Sequence, residues 1–167
     1  TVSIDQGIGS VAASGSLSVP IGTTSRTFTI TAGDPGSETT ATATAVVDPN
    51  PLPPTLTEVL SNSTSSRLTD EAGDNSDWIE VFNSNPYPID LSGYHLSDDP
   101  ANNTLWTFPA GSTIDGDSYL VVFASSKNRT DPNQNFHTNF QLSSTADQIT
   151  LFAPDGTTSL GNFNWTS

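Results

Sequence analysis

Asp77-Trp78-Ile79-Glu80-Val81-Phe82-Asn83 decides the fold class of this chain. Successive side chains of a strand point to opposite faces, so Ile79 and Val81 share one face and Trp78, Glu80 and Phe82 the other. Some forty residues on, Tyr119-Leu120-Val121-Val122-Phe123 is apolar throughout. Such a run reads as a central strand covered on both faces. Thr55 to Leu60 reads as a further short strand, and Thr150 to Phe152 with the Pro154-Asp155-Gly156 turn starts a late hairpin. Gly, Pro, Asn and Asp fill the gaps, and no helical periodicity of useful length occurs. Many short strands separated by turns predict a sandwich or barrel. Trp78, Ile79, Val81, Leu120, Val122, Leu142 and Leu151 are expected in its core.

Composition agrees. Hydrophobic residues make up only 33% of the 167 residues, but three Trp, three Tyr and eight Phe are enough to build a core. Eighteen acidic residues against four basic ones give a net charge of −14. After Thr55 the count is 14 acidic and 3 basic, a net of −11. A surface of this sign repels phosphate backbones and anionic bilayers, which argues against nucleic acid as a partner. With no Cys there is neither a disulfide nor a thiolate site. No window approaches the roughly 18 apolar residues of a membrane span, so no membrane insertion is expected. The start at Thr1, without Met, is expected of a processed or excised piece.

Asp48-Pro49-Asn50-Pro51-Leu52-Pro53-Pro54 is the one clear boundary. Its prolines make a stiff, extended spacer that cannot sit inside a sheet. Residues 1–47 before it read as strands: Thr27 to Thr31 alternates polar and apolar, Gly33-Asp34-Pro35-Gly36 signals a turn, and Thr39 to Val47 returns. Asp5 to Val11, followed by Ser14-Gly15-Ser16, looks like the second half of an immunoglobulin-like repeat. The expected organisation is therefore 1–47 as the C-terminal part of such a repeat, 48–54 as linker, and 55–167 as the main domain.

Several motifs of the main domain recur in order: Asp70-Glu71-Ala72-Gly73-Asp74 leading into Asp77-Trp78-Ile79-Glu80-Val81-Phe82-Asn83; Asp90-Leu91-Ser92-Gly93-Tyr94-His95-Leu96-Ser97-Asp98-Asp99; Trp106-Thr107-Phe108-Pro109-Ala110-Gly111; Tyr119 to Ala124; and His137-Thr138-Asn139-Phe140-Gln141-Leu142-Ser143-Ser144. In that order they resemble the lamin-tail domain family in its bacterial, secreted form. The resemblance implies an all-β, immunoglobulin-like antiparallel β-sandwich used as an accessory module of secreted or cell-surface proteins. It implies no catalytic activity. No heptad repeat accompanies it, so a filament role is not expected.

Asp70, Glu71, Asp74 and Asp77 lie within eight residues, with Gly73 available for a sharp bend. Ca²⁺ takes six to eight hard oxygen ligands from flexible loops, and these four carboxylates are the candidate metal ligands. The competing reading is a solvated turn, with Gly73 at positive φ and Asp77 capping the next strand. Asp98-Asp99-Pro100 reads as a turn start. His95 and His137, the only histidines, are expected to be structural rather than zinc ligands. Serines are abundant, but no Gly-x-Ser-x-Gly elbow occurs. Trp78, Tyr94, Trp106 and Phe108 could stack on sugars if exposed; core is the expected place for Trp78 and Phe108. Trp165 is expected to be exposed or packed on a neighbour. Four Asn-x-Ser/Thr triplets, at Asn62, Asn102, Asn128 and Asn164, are expected by chance in so Asn- and Thr-rich a chain.

The expected function is a non-catalytic, monomeric, extracellular or cell-surface module for spacing, adhesion or docking. Its partner would be a protein or a surface polymer, and Ca²⁺ its one candidate cofactor. The alternative is a carbohydrate- or polymer-binding module serving an attached enzyme.

Overall fold

The computed structural model describes residues 2–5, 7–11, 26–33, 40–47, 51–65 and 68–166. The chain divides into two compact units, Thr1–Pro51 and Leu52–Ser167. The division falls inside the proline-rich stretch. Leu52 to Pro54 belong to the second unit: Asn85 clamps Leu52 by accepting its N–H and donating to its carbonyl, at 2.9 Å each. Pro54 is fully buried, which a free spacer would not be.

The first unit is a four-stranded antiparallel sheet of β1 (Val2–Ile4), β2 (Gly9–Val11), β3 (Arg26–Gly33) and β4 (Thr40–Val47), in the order β2-β1-β3-β4. The Thr/Ala alternation forms β4 and pairs over its whole length with β3, where Phe28 is buried. The expected turn at Asp34-Pro35-Gly36 and the Ser14-Gly15-Ser16 segment lie outside the described residues.

The second unit is an immunoglobulin-like sandwich. Strands β5 (Thr55–Leu60), β6 (Asp77–Asn83), β11 (Ser118–Ala124) and β12 (Phe136–His137) form one sheet in the order β12-β11-β6-β5. Strands β8 (His95–Ser97), β9 (Trp106–Thr107), β13 (Ala146–Phe152) and β14 (Ser159–Thr166) form the other, in the order β14-β13-β8-β9. A small pair, β7 (Ile89–Asp90) with β10 (Thr113–Ile114), lies in the connections. All these pairings are antiparallel except β11 with β12, which is parallel over two residues. Among the described residues the only helical turn is the 3₁₀ turn Ser63–Ser65.

The alternation read in β6 holds. Ile79 and Val81 are fully buried and face Ile149, Leu151 and Leu96 of the other sheet's core set. Burying each such side chain stabilises the fold by about 1.5–3 kcal/mol. Val122, Leu142 and Leu151 are buried as expected, whereas Trp78 and Leu120 are only half-buried. Trp106 and Phe108 are core residues, 2% and 1% exposed, with rings edge-to-face at 4.8 Å. Phe136 completes this aromatic cluster.

Tyr119 departs from the expectation of a strand covered on both faces. It is 60% exposed and stacks across the strand pair on Phe82 at 4.5 Å. At the other end of the same face Phe123 is buried. The His137 ring of β12 stacks on Phe123 at 5.2 Å.

Candidate functional site

In the described parts of the β5–β6 loop, residues 61–65 and 68–76, the acidic residues are individually tied down. Asp70 starts a tight turn: Gly73 N–H donates to its carbonyl at 2.9 Å, and Gly73 sits at φ 83°, the left-handed conformation expected of it. One oxygen of the buried Asp70 carboxylate accepts the N–H groups of Ala72 (2.9 Å) and Asp74 (3.0 Å). The other accepts the Ser76 hydroxyl at 3.2 Å and pairs with the Lys127 ammonium. Lys127 also reaches Asp74, at 2.8 Å. Burial alone would raise the Asp70 pKa. The Lys127 ammonium and the two N–H donors outweigh burial and hold it down to about 2. The same contacts push Lys127 up, Asp70 before Asp74.

Glu71 turns the other way. It pairs with Arg129, accepts from Asn135 Nδ2 at 3.2 Å, and meets His137 Nε2 at 3.0 Å. His137 is fully buried, stacks on Phe123 at 5.2 Å, and has its Nδ1 2.7 Å from the Ser125 hydroxyl. A carboxylate only accepts, so Nε2 carries the proton facing Glu71, and Nδ1 of the neutral ring accepts from Ser125. Burial first, then the charges of Arg129 and Lys127, lower the His137 pKa against the opposing pull of Asp70. The ring is therefore neutral at pH 7.

The sequence places Lys127 and Arg129 by alternation. Ser126 and Asn128 adopt left-handed φ of 60° and 50°. Their N–H groups donate to Phe140 and Thr138 carbonyls at 3.0 Å, zipping this stretch against residues 137–141. The residues between and after them, Lys127 and Arg129, meet the acidic loop. Asp77, the fourth predicted ligand, does something else: it accepts the Ser63 N–H at 3.2 Å and holds the start of the loop.

The four carboxylates singled out from the sequence are thus divided among three separate tasks. Among the described residues no group of three acidic or His side chains is arranged to hold a metal ion. Lys127 and Arg129 supply the counter-charge that a cation would otherwise supply. Asp99 accepts the Ala101 N–H at 2.8 Å, as the turn reading expects. His95 lies in the other sheet from His137, bonded to Thr107 at 2.8 Å, so the two histidines have separate partners. Ser125, Lys127 and Arg129 were not foreseen as site residues. The available signal was charge scarcity: with three basic residues after Thr55, each is expected to find a carboxylate.

A family model described as Lamin Tail Domain matches residues 53–167. The chain belongs to the lamin tail domain family. The matched region coincides with the second unit, and its immunoglobulin-like sandwich carries both the clasped loop and the open Tyr119 end of the face. No curated protein and no solved structure matches the chain. Within this lamin tail domain, the polar cluster has the chemistry of an intramolecular fastener. Ser125, His137 and Glu71 line up as a hydroxyl–imidazole–carboxylate relay, but the hydroxyl is buried and also accepts the Lys127 N–H at 3.4 Å. Ser125 itself lines a polar pocket of about 180 Å³, with Ser63, Asn75, Ser76, Asp77 and Gln141 among others.

Proposed function

We propose that this chain is a non-catalytic docking or spacing module of a larger extracellular or cell-surface bacterial protein. The observation that carries the reading is the use of the polar residues. Every carboxylate of the densest charged cluster is engaged in holding one loop onto one sheet. The family is one of β-sandwich modules, and an acidic, cysteine-free, turn-rich chain suits an accessory domain in a solvent-rich setting. The first unit fits the C-terminal part of an immunoglobulin-like repeat placed before it. A sugar-binding role draws less support, because Trp106 and Phe108 are core residues and Tyr94 is half-buried.

Among the described residues, Ser125 is the one serine held by a histidine that is itself held by a carboxylate, so it is the residue on which the non-catalytic reading is tested. Purified protein and Ser125→Ala are assayed on ester, phosphoester and glycoside panels. The expected result is no turnover by either. Turnover by the wild type that Ser125→Ala abolishes would overturn the reading.

A further inference from the structure

The outer face of the β5–β6–β11 sheet is built in three rows. The register places Thr55, Phe82 and Tyr119 in one row, Glu58, Glu80 and Val121 in the next, and Leu60, Trp78 and Phe123 in the third. In the third row Phe123 is buried against the His137 ring. In the first two, Tyr119 and Glu58 are exposed and Phe82 and Glu80 half-exposed.

Glu58 and Glu80 are direct cross-strand partners. Like charges so placed repel, and the fold offers them little relief. Glu80 accepts the Thr57 hydroxyl at 2.7 Å. The described cations of this unit, Lys127 and Arg129, are both committed to the acidic loop. In the adjoining row the exposed Tyr119 ring packs on Phe82 at 4.5 Å. At the sheet edge, Glu58 also borders a groove of about 400 Å³ whose far wall is Phe163 and Trp165 of β14.

We propose that this face docks a basic, extended polypeptide segment. An arginine or lysine of the segment lies over Tyr119 and pairs with Glu80 and Glu58, and a neighbouring apolar side chain enters the groove against Phe163. Carboxylates next to an exposed ring attract a cation by charge and by the ring quadrupole together. The net charge of −14 draws such a partner in from a distance. A neutral sugar would gain the ring but leave the carboxylate repulsion in place. The proposal rests on the docking-module reading and adds the surface and the partner's chemistry.

The test is a fluorescence-anisotropy titration with a fluorescein-labelled hexa-arginine peptide at roughly 50 mM salt, where surface charge is only partly screened. Saturable binding is expected. Tyr119→Ala should weaken it about fivefold and Glu80→Gln at least as much. Asp115→Asn removes an equal charge at an exposed position just after β10 and should change it by less than about twofold. Tyr119 is open enough that its truncation leaves the fold intact, which a melting curve checks. The proposal is overturned if the peptide does not saturate. It is equally overturned if Glu80→Gln and Asp115→Asn act alike while Tyr119→Ala does nothing, since attraction is then only to net charge. Hydroxyethylcellulose binding that depends on Tyr119, with no peptide binding, would assign the face to a neutral glycan instead. These outcomes leave the module reading standing, whereas enzymatic turnover would overturn that reading without touching this titration.

Discussion

Asp70→Ala is the most informative single substitution in the clasp. The native carboxylate is held from an ordinary value of 3.8 down to about 2. Its side chain is 0% exposed, so solvent screening takes little from that difference. At roughly 1.4 kcal/mol per pK unit, the fall corresponds to about 2 kcal/mol of stability at neutral pH. Truncation also strands the Ala72 and Asp74 N–H groups and the Ser76 hydroxyl, adding about 1 kcal/mol after partial rescue by water. Lys127 keeps Asp74 as a partner and costs little more. The sum is about 3 kcal/mol, or a melting temperature lower by about 10 °C for a unit of this size. Thermal melts followed by far-UV circular dichroism read it directly. The sign with pH is fixed by the lowered pKa: the contribution is complete above 3.8 and is lost as pH falls through about 2. The gap between wild-type and variant curves should therefore narrow between pH 4 and pH 2, toward the roughly 1 kcal/mol left by the stranded donors. A melting temperature within about 2 °C of wild type at pH 7, or a gap as wide at pH 2 as at pH 7, would refute the reasoning.

Other outcomes follow from the same structure. His137 has a lowered pKa in the fold, so the unfolded chain binds more protons near pH 6 and stability should decline as pH drops below about 6.5; His137→Gln should flatten that slope in melts from pH 7.5 to pH 5. Gly116→Ala places a Cβ 2.4–2.7 Å from the backbone of Pro86 and Tyr87 and should cost about 3 kcal/mol in urea denaturation. Asn83 is fully buried and donates to the Tyr87, Ile114 and Asp115 carbonyls; Asn83→Ala should destabilise by about 3 kcal/mol. Melting temperatures in EDTA and in millimolar Ca²⁺ should agree, because Lys127 and Arg129 already pair with Asp70, Asp74 and Glu71; a rise with Ca²⁺ that Asp74→Ala removes would support the cation reading.

The parts of this fold that were legible in the sequence are those set by local alternation. Ile79 and Val81 are buried because period two puts them on one face; the Thr/Ala run forms β4, although Ala41 to Ala45 are exposed. Tyr119 was misread because an apolar run shows only that both faces tolerate burial; coverage depends on residues distant in sequence, such as His137 on Phe123, which is a tertiary fact. His137 was expected to be structural, but its place was not legible. It lies in a two-residue parallel strand that is too short to carry a period. The clasp itself could not be read locally, since Asp70 and Lys127 are 57 positions apart and Glu71 and His137 are 66 apart. The acidic loop was conspicuous as charge, but its partners were inconspicuous: two cations separated by one residue after β11.

The central claim is that the acidic loop is fastened to the sheet by ion pairs within the chain. A double-mutant cycle on Asp70→Ala and Lys127→Ala, with stabilities from urea denaturation at pH 7, tests it most directly. A buried charge-assisted pair predicts a coupling energy of about 2 kcal/mol. A coupling below about 0.5 kcal/mol, the value of an ordinary surface pair, would contradict the claim and leave the loop a solvated turn.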